Sequence, residues 1–249
     1  MTFRLSLLPI LATALFAAQA APAQDAMSDA ERAAFRAEVR AYLLENPEVL
    51  MEAIGVLEQR EQMAQAQSDT DMAMINADAL FNDGYSYVGG NPDGDVTLVE
   101  FMDYRCGYCK QAFAEVEQLL SADGNIRFIV KEFPILGEQS VLAAQFAVAV
   151  HQLHGDENYK LVHDALMTLR SDINSETLSR LSEGFDLEWE PILTRMSSPE
   201  VAEVLQQNQL LAQRLQISGT PTFVLEDQML RGYVPLAQMQ QIIAASRID

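Results

Sequence analysis

The chain has 249 residues, 49% of them hydrophobic, which is ample for a catalytic domain with a real core plus a smaller companion segment. Asp and Glu number 36 against 16 Lys and Arg, a net charge of −20 that argues against nucleic acid as a partner, because phosphate binding needs clustered cations. Cys106 and Cys109 are its 2 cysteines, too few for a disulfide framework and not needed to support a fold of this size.

In chain order, Arg4, the apolar run Leu5 to Ala18 and the small-residue site Ala21-Pro22-Ala23 read as a signal peptide over 1–23. The run is shorter than the ~20 residues a membrane span needs, and no later stretch is long and apolar enough. The mature chain is therefore expected to be exported, where disulfides form and persist.

Ser28 to Glu45 is predicted as an amphipathic helix, with Ser28 and Glu31 in a capping-box pattern and Phe35, Val39, Tyr42 and Leu43 on one face. Asn46-Pro47 is expected to cap and open a second helix through Val49, Leu50, Ala53, Ile54, Val56 and Leu57. Its apolar face is wide, and Gly55 would admit a partner backbone. Self-association is expected, with a trimer preferred over a dimer, since a two-stranded seam needs only a narrow stripe. Gln62 to Asp78 reads as a helical linker or hinge, so that 24–80 forms an oligomerisation segment and 81–249 the catalytic domain.

Beyond the turn clusters Asn82-Asp83-Gly84 and Gly89-Gly90-Asn91-Pro92, strands are predicted near Tyr85 to Val88 and over Val96 to Phe101. "YRCGYCK" follows, then a helix over Gln111 to Leu120 and a strand over Ile126 to Phe133. Residues 137–216 are helical in pattern almost throughout. Strands over Thr222 to Glu226 and Met229 to Val234, turning at Asp227 and Gln228, precede a last helix from Pro235 to Ser246. The order is β-α-β, a helical insertion, then β-β-α.

The cysteines admit three readings. A staple closing so small a loop constrains the unfolded chain little. A structural zinc site needs four ligands; the remaining candidates His151, His154 and His163 all lie in the insertion, nothing in the sequence brings them to Cys106, and they read as ordinary helix residues. A reactive pair fits best. Cys106 stands after a strand at a helix start, where N–H groups and the helix dipole favour a thiolate, and Cys109 lies one turn further on, within reach of a mixed disulfide formed on Cys106. No metal or cofactor is needed for such chemistry.

"VTLVEFMDYRCGYCK", "VKEFPILGEQSVLAAQFA" and "GTPTFVLE" together resemble the DsbA-like thioredoxin-fold oxidoreductases of bacterial periplasms, and "VRAYLLENPEVLMEAIGVLEQRE" resembles the oligomerisation segment of the ScsC (suppressor of copper sensitivity) proteins within that group. The resemblance implies an α/β thioredoxin fold with an all-helical insertion, preceded by an N-terminal α-helical oligomerisation segment, and a periplasmic location. It implies that Pro221 is cis and beside Cys106, that Thr220 presents its backbone to substrate and can tune the sulfur through its hydroxyl, and that Glu100 is a buried acid taking the proton of Cys109. Lys131 and Glu132 are its candidate electrostatic neighbours on the next strand. Gly107 and Tyr108, between the sulfurs, are expected to tune the redox potential.

Gly-Tyr between the cysteines and Thr before the proline resemble DsbC isomerases more than DsbA oxidases. The expected function is thus disulfide isomerisation or reduction on exported proteins with disulfides or free thiols, supported by a membrane redox partner. A DsbA-type oxidase and a copper(I)-binding thiol protein are the alternatives, the latter because soft thiolates suit that ion.

Overall fold

The computed structural model describes residues 27–248, so the expected signal peptide over 1–23 lies outside the described residues. The chain divides between Glu58 and Gln59 into two compact units. In the first, helix α1 (Asp29–Glu45) starts with a complete capping box: the Glu31 N–H donates to Ser28 Oγ at 3.3 Å and the Ser28 N–H to Glu31 Oε2 at 2.9 Å. Asn46 does not cap the following helix as expected. Its side-chain amide turns back and donates to the Tyr42 carbonyl at 2.9 Å, closing the end of α1, and α2 (Glu48–Ile75) begins beyond Pro47. No residue of α1 is buried, and Phe35, Tyr42, Leu44, Leu50, Ile54 and Leu57 are all exposed.

In the second unit the segment over 62–78, expected as a helical linker or hinge, is helical and partly buried. Helix continues unbroken to Ile75, Asp69 and Ala73 are buried, and the short α3 (Ala77–Phe81) buries Leu80 completely. Asp69 is held by Arg231 Nη2 and Gln65 Nε2, each at 2.7 Å. The compact unit therefore begins at Gln59 rather than at residue 81. Polar composition suggested a hinge; the few apolar positions that dock, Ala73 and Leu80, are too sparse to stand out in sequence.

Strands β1 (Tyr87–Gly90), β2 (Val96–Met102), β3 (Ile126–Glu132), β4 (Thr222–Leu225) and β5 (Gln228–Arg231) form one sheet in the order β1-β3-β2-β4-β5. Only β2 and β3 run parallel; the other neighbours are antiparallel. The β4–β5 turn is Glu226-Asp227, with Gln228 already in the strand and Glu226 at φ 52°. Helix α4 (Gly107–Asp123), ended by the left-handed Gly124, crosses between β2 and β3 as a parallel pair requires.

Side chains alternate across the sheet. Leu98 and Met102 of β2 and Phe128 and Val130 of β3 join a core with α4, the insertion and α9 (Leu236–Ser246). Val99, Phe101 and Ile129 point the opposite way, onto Ala73, Leu80 and the insertion's last helix. That insertion comprises α5 (Glu138–Thr168, broken at Gly155), α6 (Ser175–Gly184), α7 (Trp189–Met196) and α8 (Pro199–Arg214). Among the described residues no helix is long and apolar enough to cross a membrane.

Candidate active site

The site begins with the turn that follows β2. Asp103, buried, accepts the backbone N–H of Arg105 at 2.7 Å, the Ser140 hydroxyl at 2.8 Å, and the N–H groups of Ile135 at 2.8 Å and Leu136 at 3.1 Å. Four donors on one carboxylate tie the turn to the start of the insertion. The Asp103 carbonyl then receives the Cys106 N–H at 3.0 Å.

Cys106 is the N-cap of α4, and its sulfur accepts the Cys109 N–H at 3.4 Å. From the other side the Thr220 carbonyl stands 3.2 Å from the Cys106 sulfur, accepting from the thiol, and the Thr220–Pro221 bond is cis. The atom of Thr220 that meets the sulfur is thus its backbone carbonyl. Pro221 is fixed in turn by the Gly232 N–H, which donates to its carbonyl at 2.9 Å. Both thiols are free. Cys106 retains 7% exposure and Cys109 none. Between them, a side chain at Gly107 would meet open space, while Tyr108 lies exposed with its ring stacked 6.4 Å from that of Tyr233.

Glu100 lies on the sheet face beneath α4, 2% exposed. Burial and the charge of Glu132 push its carboxyl up to about 8. Burial and the charge of Glu100 in turn push the Cys109 thiol well up. The sequence-predicted residues Cys106, Cys109, Glu100, Thr220 and Pro221 therefore meet around one pair of sulfurs.

Of the two expected neighbours of Glu100, only Glu132 shares its face. Lys131, one residue earlier in β3, points through the sheet to the opposite side, where its ammonium pairs with Asp83 and donates to the Ala79 carbonyl at 2.9 Å. Glu132 instead meets Tyr104 and Tyr159, whose hydroxyls each donate to its Oε1 at 2.7 Å. The Tyr104 hydroxyl is also 3.0 Å from His163 Nδ1. His163 is consequently not an ordinary helix residue: it is buried, and burial together with Lys160 pushes its imidazole down to about 3. The sequence did carry a signal for this cluster, since Tyr159 and His163 are four apart on one helix and so share a face. Asp103, by contrast, offered none.

The family model described as a DSBA-like thioredoxin domain matches residues 97–244. The chain belongs to the DsbA-like thioredoxin family of thiol:disulfide oxidoreductases. A second model, the copper resistance protein ScsC N-terminal domain, matches residues 31–64. Among solved structures, a thioredoxin-like oxidoreductase from Silicibacter pomeroyi DSS-3 is 42% identical, with a TM-score of 0.66 and coverage of 70% of this chain and 99% of that one. ScsC of Proteus mirabilis in a transitional conformation is 28% identical, with a TM-score of 0.64 over 88% of this chain and 98% of its own. BcfH of Salmonella enterica Typhimurium is 29% identical, with a TM-score of 0.73 over 86% and 95%.

Curated relatives include the Na(+)/H(+) antiporter NhaA 1 of Salinispora arenicola, 27% identical over 147 residues. That match covers 59% of this chain but spans only 22% of the antiporter's length. Disulfide bond formation protein D of Bacillus subtilis is 23% identical over 164 residues, 62% of this chain and 73% of that protein.

Proposed function

We propose that the protein carries out thiol–disulfide exchange on exported proteins, in the periplasm, with isomerisation or reduction as its net direction. The observation that carries this reading is the asymmetry of the two thiols. Cys106 caps a helix, receives an N–H on its sulfur and keeps a path to solvent; Cys109 is sealed beneath it and faces Glu100. Cys106 attacks as thiolate: its sulfur bonds to one sulfur of a substrate disulfide, and the other leaves as a thiolate. A substrate thiol can then displace Cys106, which regenerates the enzyme and leaves the substrate rearranged. Alternatively Cys109 bonds to the Cys106 sulfur, its proton passes to Glu100, and the substrate leaves reduced.

Two features favour the isomerase direction. Gly107-Tyr108 and Thr220 depart from the oxidase pattern, and residues 28–58 expose an apolar face that suits assembly of several active sites around one substrate. The ScsC N-terminal match over 31–64 supports a homo-oligomer, and we infer a trimer from the width of the face. A membrane redox partner would return the pair to the dithiol.

Trapping tests the reading. Cys109→Ser is expected to accumulate mixed disulfides with exported proteins and Cys106→Ser to accumulate none. Alkylation of the reduced protein is expected to reach Cys106 first. Faster alkylation of Cys109 overturns the assignment of roles. The copper(I) reading is tested on the same samples: stoichiometric copper in reduced protein with no insulin reduction would replace exchange by metal binding.

A further inference from the structure

The proposed chemistry uses one buried carboxyl, yet the same sheet face holds two. Glu100 pairs in register with Val130, so Glu132 is its diagonal neighbour two residues further along the parallel strand. Both are almost fully buried, and Glu100 Oε1 and Glu132 Oε2 have no hydrogen-bond partner. Their hydrogen bonding differs. Glu132 receives two phenol donors on one oxygen, whereas no such pair of donors reaches Glu100. Hydrogen bonds to a carboxylate favour its charged form, and two like charges this close disfavour one another. When the pair holds a single proton, the phenols therefore keep the anion on Glu132 and the proton on Glu100.

We propose that Glu132, gripped by Tyr104 and Tyr159, is a positioning residue that sets the basicity of Glu100 and thereby the pH at which Cys109 can give up its proton. The inference rests on the assignment of Glu100 as the proton acceptor of Cys109. Resolution then balances as follows. Once the carboxyl pair has lost both protons, the Cys109 S–H bond breaks and its proton moves to the Glu100 carboxylate. The Cys109–Cys106 bond forms, the bond from Cys106 to the substrate sulfur breaks, and the electron pair leaves on the substrate thiolate. Glu132 touches none of the reacting atoms; its negative charge holds Glu100 at a proton affinity high enough to accept.

The groups around Glu132 act on its charge in both directions. Burial and the charge of Asp103 push its carboxyl up to about 8, while the Tyr159 hydroxyl and the Tyr104 hydroxyl supplied by the loop after β2 favour its anion. Helix α5 supplies Tyr159 and His163, the latter kept neutral. With both phenols donating to Glu132, His163 Nδ1 carries its hydrogen toward the Tyr104 oxygen, the only arrangement in which each phenol proton is used once. From β1, Tyr87 stacks on Tyr159 at 4.7 Å. From α8, Asn208 donates to the Glu132 carbonyl at 3.1 Å, fixing the strand end rather than the carboxyl. From α4, Cys109 faces Glu100. The nearest lysine in sequence, Lys131, is committed to Asp83 across the sheet.

The test is the pH profile of glutathione release from a mixed disulfide formed on Cys106, measured in the full mature chain as wild type, Glu132→Gln, Tyr159→Phe and Glu100→Gln. Glu132→Gln removes the like charge and is expected to move the rise in rate to lower pH by about one unit or more. Tyr159→Phe leaves the carboxyl in place but removes one of its donors, so Glu132 takes up a proton more readily; the rise moves the same way by less. Tyr159→Phe also keeps the test decisive if Glu132→Gln folds poorly. In the Glu100→Gln background neither change is expected to move the profile further. A profile that stays put in both single variants while Glu100→Gln flattens it overturns the role of Glu132. A profile untouched by Glu100→Gln overturns the underlying assignment of Glu100 instead.

Discussion

Residues 28–58 and residues 59–248 show the same amphipathic sequence pattern with opposite outcomes. In the second region both faces of the central strands have a matching layer: Leu98 and Val130 join the core with α4 and α5, Val99 and Ile129 the one with α3 and α8, and Phe101, Leu80 and Leu211 have no exposure. In the first, α1 buries nothing, and Phe35, Leu44, Met51 and Leu57 are 59%, 71%, 69% and 56% exposed. So many large apolar side chains left open on two helices suit an interaction surface. The contrast separates two requirements. The redox domain satisfies its own hydrophobic surface, so exchange chemistry is a property of one chain. The arm leaves its apolar side chains open, which is the ground for the assembly proposed above.

The strongest test cuts the chain at that division. Removing residues 24–58 is expected to give a monomer by light scattering that still reduces insulin but loses most of its activity on scrambled ribonuclease. Cutting at residue 80 is a different experiment. It strips Leu80, Ala73 and Asp69 from the domain and is expected to lower its stability as well. Unchanged isomerase activity after the shorter cut would detach the arm from the function proposed for it, and a monomeric intact chain would detach it from assembly.

Single side chains sharpen the same contrast. Leu80 is fully buried, and Leu80→Ala is expected to cost about 2–5 kcal/mol in denaturant unfolding. Leu57 is more than half exposed, and Leu57→Ala is expected to change the domain's unfolding by less than about 0.5 kcal/mol while weakening the oligomer. Equal effects on domain stability would mean the two regions are not energetically distinct.

Much of this division was legible in the sequence. Strand and helix order followed from periodicity, and the capping box at Ser28 and Glu31 formed as read. The strand end and helix start point locally to Cys106 and Cys109, whereas Glu100, Thr220 and Pro221 are brought to the pair only by the resemblance to the DsbA-like family; the structure places all five around one pair of sulfurs. What escaped was non-local. Lys131 and Glu132 are adjacent in sequence but lie on opposite faces of the sheet, so only the strand's phase decides which one meets Glu100. Asp103 looks like any loop aspartate until its four donors are seen. His163 finds Tyr104 only after the insertion folds back over β3. Residues 62–78 are legible as helix, as a helical linker or hinge would be, but the docking of Ala73 is not, because composition does not record tertiary contacts.

Below these effects in size lies the pH dependence of the domain. Glu100 is pushed from 4.5 to about 8 in the fold, and Glu132 likewise. Each binds its proton more tightly folded than unfolded, so each contributes stability that is complete at low pH and is lost as pH rises through about 8. His163 acts in the opposite sense: pushed from 6.5 down to about 3, it costs stability only as pH falls below 6.5. Above pH 6.5 the carboxyls are therefore read cleanly. Between pH 6.5 and 8.5 the wild-type domain is expected to lose on the order of 2 kcal/mol more than Glu100→Gln. Parallel curves for the two proteins would show that Glu100 does not titrate there. The arm, which buries nothing in α1, is expected to add nothing to the difference.

The smallest effect probes where arm gives way to domain. Helix α2 runs through the division without a break, so continuity of the helix cannot mark it. The first anchored side chain is Asp69, which bridges Gln65 of its own helix and Arg231 at the end of β5, while Arg231 also donates to the Gln216 carbonyl at 2.9 Å. Arg231 is about a third exposed, which limits the pair to a modest contribution. Asp69→Asn keeps a hydrogen-bond acceptor but removes the charge, and is expected to cost about 1 kcal/mol. Its signature is local: amide exchange should quicken over residues 59–75, with β2 and α4 unchanged, because Arg231 keeps its carbonyl partner and the sheet is untouched. Uniformly faster exchange across the domain would place the anchor elsewhere, and unchanged exchange would mean that Ala73 and Leu80 alone hold this part of the helix in place.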